Sequence, residues 1–211
     1  MAETVLHDYW RSSASYRVRI ALNMAGIDYR SVPVDLLAKE HKSAEHLAYN
    51  PQGLVPALEI DGHSFAQSLA IIEYLNETRA AGFLPSDPVG RQRVRQLSYA
   101  IAMEIHPVCN PSVVAEMMRQ AGDGEAARQA WMQKFIGDGL AAFEKLLDNP
   151  ATGQFCHGDA PGMADFCLVP QVYNARRWEV DLGAMPHLLE IAGHCEAIDA
   201  FATAHPDRVK P

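Results

Sequence analysis

Strand and helix signals alternate over residues 1–82 of this chain, and beyond them only helix signals remain. Residues 4–9 and 29–34 are rich in β-branched and aromatic side chains, and an amphipathic helix pattern lies between them. Two further apolar runs flank Asp61-Gly62, a dipeptide typical of a hairpin turn. The order β-α-β-α-β-β-α therefore predicts a mixed sheet with helices on both faces.

The second part of the chain shows only helical periodicity, with apolar residues recurring every three or four positions. The predicted helices cover residues 94–108, 131–147, 163–178 and 186–203. Pro107 and Pro111 are expected to bend or break the first helical stretch. A proline-bearing linker starting at Pro85 separates this region from the first. We therefore predict two domains, at residues 1–82 and 87–211.

Charge and composition limit the partners of the protein. The formal net charge is -8 over 211 residues, so nucleic acid and anionic membranes, which need a basic face, are not expected as partners. Residues 1–6 do not resemble a signal peptide, and we expect no membrane span. The four cysteines form no Cys-x-x-Cys pair, which suits the cytoplasm, and His and Cys spacing predicts no metal site.

The junction of the first strand and first helix carries the first candidate site. Arg11 is followed there by Ser12 and Ser13. Hydroxyls at a helix N-terminus lie beside unpaired N–H groups and a positive dipole end, a setting that favours a thiolate or another anion. Taken alone, these residues favour the simpler interpretation that Ser12 or Ser13 is an ordinary helix N-cap.

Two further segments are candidates for the same kind of chemistry. Val55-Pro56 heads a predicted strand, where a cis bond would leave the Val55 backbone free to pair with a peptide ligand. A trans proline at a strand start is the alternative reading. Gln67-Ser68 precedes the last helix of the first domain, with Ser68 as its expected cap, and could hold a carboxylate.

Four segments taken together resemble one protein family. They are SSASYRVRIAL from Ser12, NPQGLVPAL from Asn50, QSLAIIEYL from Gln67 and MADFCLVPQV from Met163. In order and spacing these resemble the zeta-class glutathione transferases over nearly the whole chain. The resemblance implies a thioredoxin-like glutathione-binding domain followed by an all-helical substrate-binding domain. It also implies a homodimer.

The resemblance assigns roles to residues of the first domain. Ser12 matches the hydroxyl that hydrogen-bonds the glutathione sulfur, with Ser13 and Arg11 beside it in the catalytic group. Val55 matches the residue whose backbone pairs with the cysteinyl part of glutathione, and Pro56 matches the cis proline. Gln67 and Ser68 match the pair that grips the γ-glutamyl carboxylate.

The helical domain contributes further residues by the same resemblance. His106 and Asn110 fall where this domain closes over the glutathione site in similar proteins. Arg11 and one of Arg176 and Arg177 match arginines expected to meet the carboxylates of a dicarboxylate substrate. Without the resemblance, the favoured interpretation of Arg176 and Arg177 is solvated charge at a helix C-terminus.

The sequence departs from the family pattern at two positions. The family usually has cysteine where this chain has Ala14, so a thiol there cannot be essential if the activity is kept. Transferases of this fold usually carry Ser or Thr three residues before an aspartate in the helical domain, where this chain has Gly162 ahead of Asp165. Glycine is a tolerable N-cap, so we expect that helix to form.

The implied activity is cis–trans isomerisation of maleylacetoacetate in tyrosine and phenylalanine breakdown, by addition and elimination of a glutathione thiolate. Maleylpyruvate isomerisation is a close variant with a smaller substrate. A general transferase or α-halo acid dehalogenase is a second class, and a transferase-like module that only binds protein is a third. Retention of Ser12, Pro56, Gln67 and Ser68 argues against the third.

Overall fold

The computed structural model describes residues 3–121 and 124–211. The chain divides into two compact units, Met1–Leu84 with Ala197–Pro211, and Pro85–Glu196. We call the first the sheet unit and the second the helical unit. Met1 and Ala2, with which the predicted first domain begins, lie outside the described residues.

The sheet unit contains four strands in the order β2-β1-β3-β4. The strands are β1 Val5–Asp8, β2 Arg30–Pro33, β3 Ala57–Ile60 and β4 His63–Ala66. Strand β1 pairs parallel with β2 and antiparallel with β3, which in turn pairs antiparallel with β4. The predicted mixed sheet and the hairpin at Asp61-Gly62 are therefore confirmed.

The helices of the sheet unit follow the predicted order. They are α1 Ser13–Met24, a 3₁₀ turn Glu40–Lys42, α2 Ala44–Tyr49 and α3 Ser68–Arg79, with α10 Asp199–Ala204 and α11 Pro206–Val209 at the C-terminus. Apolar residues from β1, α1, β3 and α3, such as Leu6, Ile20, Leu58 and Ile72, are fully buried. Strand β1 is buried along its whole length, as expected for a central strand of this sheet.

The C-terminal segment belongs to the sheet unit because α10 packs on α1. The Tyr16 hydroxyl donates to the Phe201 carbonyl at 3.4 Å, and Arg19 Nε donates to the Ala204 carbonyl at 3.0 Å. The Asn23 amide donates to the Ala200 carbonyl at 3.0 Å. The sequence-based division into residues 1–82 and 87–211 differs from the structure in this segment.

A buried ion pair fixes the turn between β1 and α1. Arg19 Nη1 lies 2.8 Å from Asp8 Oδ1, and the two side chains are only 1% and 4% exposed. Arg19 Nη2 also donates to the Trp10 carbonyl at 2.9 Å. The pair therefore joins the end of β1, the middle of α1 and the turn that leads to Ser12.

The helical unit consists of helices, with its longest connection over residues 148–162 between α7 and α8. Their bounds are α4 Pro88–Tyr99, α5 His106–Val108, α6 Pro111–Ala121, α7 Glu125–Leu147, α8 Met163–Arg177 and α9 Pro186–Glu196. Helix α8 is buried along most of its length and packs against α4 and α9. Among the described residues, no helix is long and apolar enough to cross a membrane.

The predicted long helix over residues 94–108 is interrupted in the structure. It changes to π-helical geometry over Ala100–Ile105, where the His106 N–H donates to the Ile101 carbonyl five residues earlier. Pro107 explains the position of this change because its ring would clash with the carbonyl of Met103, four residues before it. The prediction that Pro107 disturbs this helix is confirmed.

Helix α8 begins after Gly162, as expected despite the missing hydroxyl. Asp165 takes over the cap because its carboxylate accepts the N–H groups of Gly162 at 2.8 Å and Cys156 at 2.9 Å. Burial raises the pKa of Asp165, and these two N–H groups oppose that rise. The carboxylate therefore joins the start of α8 to the preceding loop.

Candidate active site

The three candidate segments of the sheet unit lie at one edge of the sheet, where the ends of β1, β3 and β4 meet. His7 near the end of β1 pairs with Ala57 at the start of β3, and Ala57 pairs with Ala66 at the end of β4. The residues that follow β1, precede β3 and follow β4 therefore leave the sheet at the same edge. These are the segments that contain Ser12, Val55-Pro56 and Gln67-Ser68.

Ser12 is the N-cap of α1, as the sequence predicted. Its backbone is extended, and its Oγ accepts the N–H of Ser15 at 3.2 Å. A hydroxyl that accepts through a lone pair keeps its own hydrogen to donate. Ser12 can therefore cap the helix and still donate to an anion at the positive end of α1. Ser13 is the first residue of the helix and is half-buried.

Val55 lies just beyond the ladder between β1 and β3. The last pair of that ladder at this edge is His7 with Ala57, so the Val55 backbone is outside the pairing of the sheet. The Val55–Pro56 peptide bond is cis, as the sequence resemblance implied. Pro56 is buried and Val55 is half-buried. The N–H and C=O of Val55 are in position to pair with an extended ligand.

Gln67 and Ser68 open helix α3 in a way that corrects one prediction. Gln67, not Ser68, is at the N-cap position, and its φ of 70° is in a region that non-glycine residues rarely occupy. Its side-chain amide donates to Gln52 Oε1 at 2.8 Å. The Ser68 hydroxyl accepts from Arg17 Nη1 at 3.3 Å instead of capping the helix.

Arg17 brings a positive charge to this edge of the sheet. Its side chain is buried, with the residue only 2% exposed, and it joins α1 to the start of α3 through Ser68. The signal for a buried role was its position between Tyr16 and Val18, two residues that α1 buries, because a charged residue there must find a polar partner.

A second positive charge beside Ser12 comes from Arg11, whose guanidinium stacks on the Trp10 ring. The Arg11 guanidinium lies 5.1 Å from the centre of the Trp10 ring, and the Lys210 ammonium lies 5.2 Å from it. Stacking on an aromatic face leaves the N–H edge of a guanidinium available for a carboxylate. The sheet unit thus carries several cations near Ser12, although the whole chain is acidic.

The candidate residues of the helical unit lie at helix ends. His106 begins α5, and Asn110 Oδ1 accepts from the N–H and hydroxyl of Ser112 at 3.1 and 2.8 Å, which caps α6. Arg176 Nη1 forms an ion pair with Glu196 at 2.6 Å. The Arg177 guanidinium lies 4.8 Å from the centre of the Trp178 ring. The two arginines at the end of α8 therefore have different surroundings.

Comparison with known proteins agrees with this geometry. The family described as "Glutathione S-transferase, N-terminal domain" matches residues 2–77. Maleylacetoacetate isomerase of Rhizobium meliloti (strain 1021) is 72% identical over 210 residues, which cover 99% of each chain. This chain belongs to the maleylacetoacetate isomerase family. The family assignment confirms the resemblance to zeta-class transferases that the sequence motifs indicated.

Two solved structures match the fold of this chain over nearly its whole length. A maleylpyruvate isomerase, described as a bacterial glutathione S-transferase of the zeta class, matches with a TM-score of 0.94 and 41% identity, covering 98% of each chain. The isomerase family member from Methylobacterium extorquens AM1, solved with malonate and glutathione bound, matches with a TM-score of 0.94 and 39% identity, covering 98% of each chain. The glutathione transferase fold is therefore confirmed.

Proposed function

We propose that the protein is a glutathione-dependent cis–trans isomerase that converts 4-maleylacetoacetate to 4-fumarylacetoacetate. The observation that carries this proposal is the 72% identity, over 99% of both chains, to the maleylacetoacetate isomerase of Rhizobium meliloti. The sheet topology supports it, because the segments that contain Ser12, Val55 and Gln67-Ser68 all lie at the same edge of the sheet.

The residues at this edge fit a bound glutathione by their chemistry. Val55 offers backbone groups outside the ladder for the cysteinyl part of the tripeptide. Ser68, 6% exposed, carries a hydroxyl backed by the Arg17 guanidinium, a setting that suits the γ-glutamyl carboxylate. Gln67 directly precedes it in the left-handed half of backbone space, as is common at ligand-binding positions.

Ser12 has the central chemical role in this proposal. Glutathione, when bound, supplies a thiolate that adds to the maleyl double bond, permits rotation about the resulting single bond and then leaves. A free thiol with a pKa near ~8.5 is only a few per cent ionised at neutral pH. Ser12 and the N-terminus of α1, with the charges of Arg11 and Arg17, would lower that pKa by about one to two pH units.

Arginines would bind the dicarboxylate substrate. Arg11 lies next to Ser12 in the sequence, and its guanidinium stacks on Trp10, so its N–H edge can pair with a carboxylate. Arg177 also stacks on an aromatic ring, that of Trp178 at the end of α8, and such stacking orients a guanidinium. We therefore propose Arg11 and Arg177 as substrate-binding residues.

By the family resemblance, we propose His106 and Asn110 as further glutathione-binding residues.

Ala14 stands where the family usually has cysteine, one residue after Ser13. The proposed chemistry requires only the hydroxyl of Ser12 at the helix N-terminus, so it does not need a thiol at that position. Substrate range and rate are the properties that Ala14 would change.

A steady-state assay with maleylacetoacetate and maleylpyruvate side by side, each with and without glutathione, tests the proposed activity. We expect faster isomerisation of maleylacetoacetate and no turnover without glutathione. Preference for maleylpyruvate would transfer the proposal to the alternative that the structural neighbour at 41% identity suggests. Turnover that is independent of glutathione would contradict both.

Two other functions can be separated from isomerisation by what they release or bind. A transferase or α-halo acid dehalogenase would release halide from a halo acid, whereas an isomerase only changes the absorbance of the maleyl diketo acid. A module that only binds protein would not bind glutathione in calorimetry. The chemistry retained at Ser12, Val55 and Ser68 argues against the protein-binding module, and the 72% identity to a maleylacetoacetate isomerase favours the isomerase over the transferase.

We further propose that the protein acts as a cytoplasmic homodimer in tyrosine and phenylalanine breakdown. The four cysteines are free thiols, which suits a reducing compartment. The dimer follows from the usual state of the family, and light scattering coupled to size-exclusion chromatography measures it directly. A mass of one 23.2 kDa chain would contradict the dimer.

A further inference from the structure

The carbonyl of Leu54 accepts two side-chain hydrogen bonds that the proposed function does not explain. His46 Nε2 and Asn50 Nδ2 each lie 2.9 Å from this oxygen. A carbonyl can only accept, so His46 Nε2 must carry its hydrogen in this arrangement. Leu54 immediately precedes Val55, the residue proposed to pair with the cysteinyl part of glutathione.

The His46 ring is held firmly in place at the buried side of α2. His46 is 4% exposed, and its backbone N–H donates to the Ser43 hydroxyl at 3.2 Å. Its ring meets the ring of His7 edge to face at 6.3 Å, and His7 stacks on Tyr49 at 4.2 Å. A donor that is already fixed loses little conformational entropy when it makes its hydrogen bond.

Hydrogen bonds from Asn50 and Lys42 also hold the rest of the loop before Val55. Asn50 closes the turn by accepting the Gln52 N–H at its side-chain oxygen and the Gly53 N–H at its carbonyl. Lys42 Nζ donates to the carbonyls of Gln52 and Gly53 at 3.3 and 3.0 Å. Gly53 has a φ of 60°, and a Cβ there would lie 2.8 Å from the His41 carbonyl oxygen, so the loop requires glycine.

Fixing the Leu54 carbonyl also fixes the direction of the Val55 N–H. The two groups belong to one planar peptide unit, and in a trans peptide they point in opposite directions. The Leu54–Val55 bond is trans, since the cis bond of this loop is the next one. When His46 and Asn50 hold the carbonyl toward α2, the Val55 N–H must therefore point away from α2.

We propose that His46 is a positioning residue for glutathione: its Nε2–H holds the Leu54 carbonyl and so aims the Val55 N–H at the ligand. This inference rests on the proposed function, because it assumes that Val55 pairs with glutathione. Asn50 shares the task but also closes the turn, so His46 is the cleaner residue to test. Without its donor, the loop samples other orientations and only part of the population can bind.

Three variants of His46 separate its donor from its packing. His46→Phe keeps a buried ring without a donor, and His46→Gln restores an N–H at a similar reach. His46→Met replaces His46→Phe if the latter does not fold, since methionine adapts to irregular space. The control is His194→Phe, because His194 Nδ1 also contacts a backbone carbonyl, that of Gln154 at 3.0 Å, but in the helical unit.

Calorimetric binding of glutathione and steady-state kinetics are the readouts, with thermal unfolding measured in parallel. We expect His46→Phe to raise the Kd and KM for glutathione about fivefold, the usual effect of one lost hydrogen bond, with the KM for the maleyl substrate unchanged. His46→Gln should remain within about twofold of wild type, and His194→Phe should not change glutathione binding.

Several results would overturn this inference. A His46→Phe protein that binds glutathione like wild type removes the role while leaving the proposed function intact. Equal weakening in His46→Gln and His46→Phe assigns the effect to ring packing. If only His46→Gln folds, His46 serves folding instead. Wild-type protein that does not bind glutathione overturns the proposed function and this inference together.

Discussion

The two neighbouring arginines at the end of α8 show how residue type alone leaves a role undecided. The sequence presented Arg176 and Arg177 as equivalent candidates for binding a carboxylate. In the structure, Arg176 pairs with Glu196 at 2.6 Å, whereas the guanidinium of Arg177 stacks on the Trp178 ring. Partners that are distant in sequence, such as Glu196, cannot be found from local pattern.

Replacing Arg177 by alanine should weaken binding of the dicarboxylate substrate. We expect the KM for maleylacetoacetate to rise about 10- to 100-fold, because a charged hydrogen-bonded pair is lost, with the Kd for glutathione unchanged. Initial-rate kinetics and calorimetry measure the two quantities. Arg176→Ala is the matched control and should change the KM by less than about twofold. A larger effect from Arg176→Ala would reverse the assignment.

The sequence predicted Ser12 as a cap and Ser68 as another, and only the first prediction was right. Ser12 follows a strand and precedes a helical repeat, which is sufficient local information for an N-cap. Ser68 instead accepts from Arg17, a residue 51 positions away, and Gln67 has the unusual backbone conformation. Contacts across the fold decided the second case.

Helices were predicted better than their ends and interruptions. The pattern over residues 186–203 predicts one helix, but the structure has α9 ending at Glu196 and α10 beginning at Asp199. Residues 196–199 contain no proline or glycine to mark the break. The break falls where the chain leaves the helical unit and α10 packs on α1, a tertiary cause that periodicity does not contain.

Helix α8 depends on Asp165, the buried carboxylate that caps it. Asp165→Ala would leave the buried N–H of Cys156 and the half-buried N–H of Gly162 without this acceptor, so we expect a loss of about 2–5 kcal/mol in the free energy of unfolding. Urea denaturation followed by circular dichroism measures this loss.

The control for this prediction is Asp138→Ala, which removes an exposed ion pair with Lys134 in α7. Its cost should remain below about 1 kcal/mol. Equal stability losses in the two variants would show that Asp165 has no special role in α8.

At the scale of the whole molecule, the C-terminal segment belongs to the unit at the other end of the sequence. Residues 197–211 supply α10 and α11, and the carbonyls of Ala200, Phe201 and Ala204 accept hydrogen bonds from α1. The sequence could predict that this segment is helical. It could not predict which unit it joins, since that depends on pairing with residues more than 170 positions away.

Removing residues 197–211 should destabilise the sheet unit. The deletion takes away Phe201, which is fully buried, and we expect a loss of at least about 3 kcal/mol with faster amide exchange in α1. Hydrogen–deuterium exchange with mass spectrometry measures the protection of α1. The control deletion of residues 207–211 keeps α10 and should leave that protection nearly unchanged. Equal exchange in both deletions would contradict the role of α10.

The acidic chain must hold its anionic ligand by local charge. The net charge of -8 opposes an anion at long range, whereas Arg11, Arg17 and the start of α1 act at short range. Cys109, Cys156 and Cys195 do not compete with the glutathione thiol for ionisation near neutral pH. Burial raises the pKa of Cys109 to about 11 and holds the pKa values of Cys156 and Cys195 far above that of an ordinary thiol.

An ultraviolet titration of the glutathione complex therefore measures the ionisation of the bound glutathione thiol. Wild type and Ser12→Ala are each titrated with glutathione and compared with the same protein without it. We predict that the bound thiol of the wild-type complex titrates at least about one pH unit below the free-thiol value of ~8.5, and that Ser12→Ala removes most of that shift. A wild-type complex whose thiol titrates like free glutathione, or an unchanged titration in Ser12→Ala, would contradict the role of Ser12 and the N-terminus of α1.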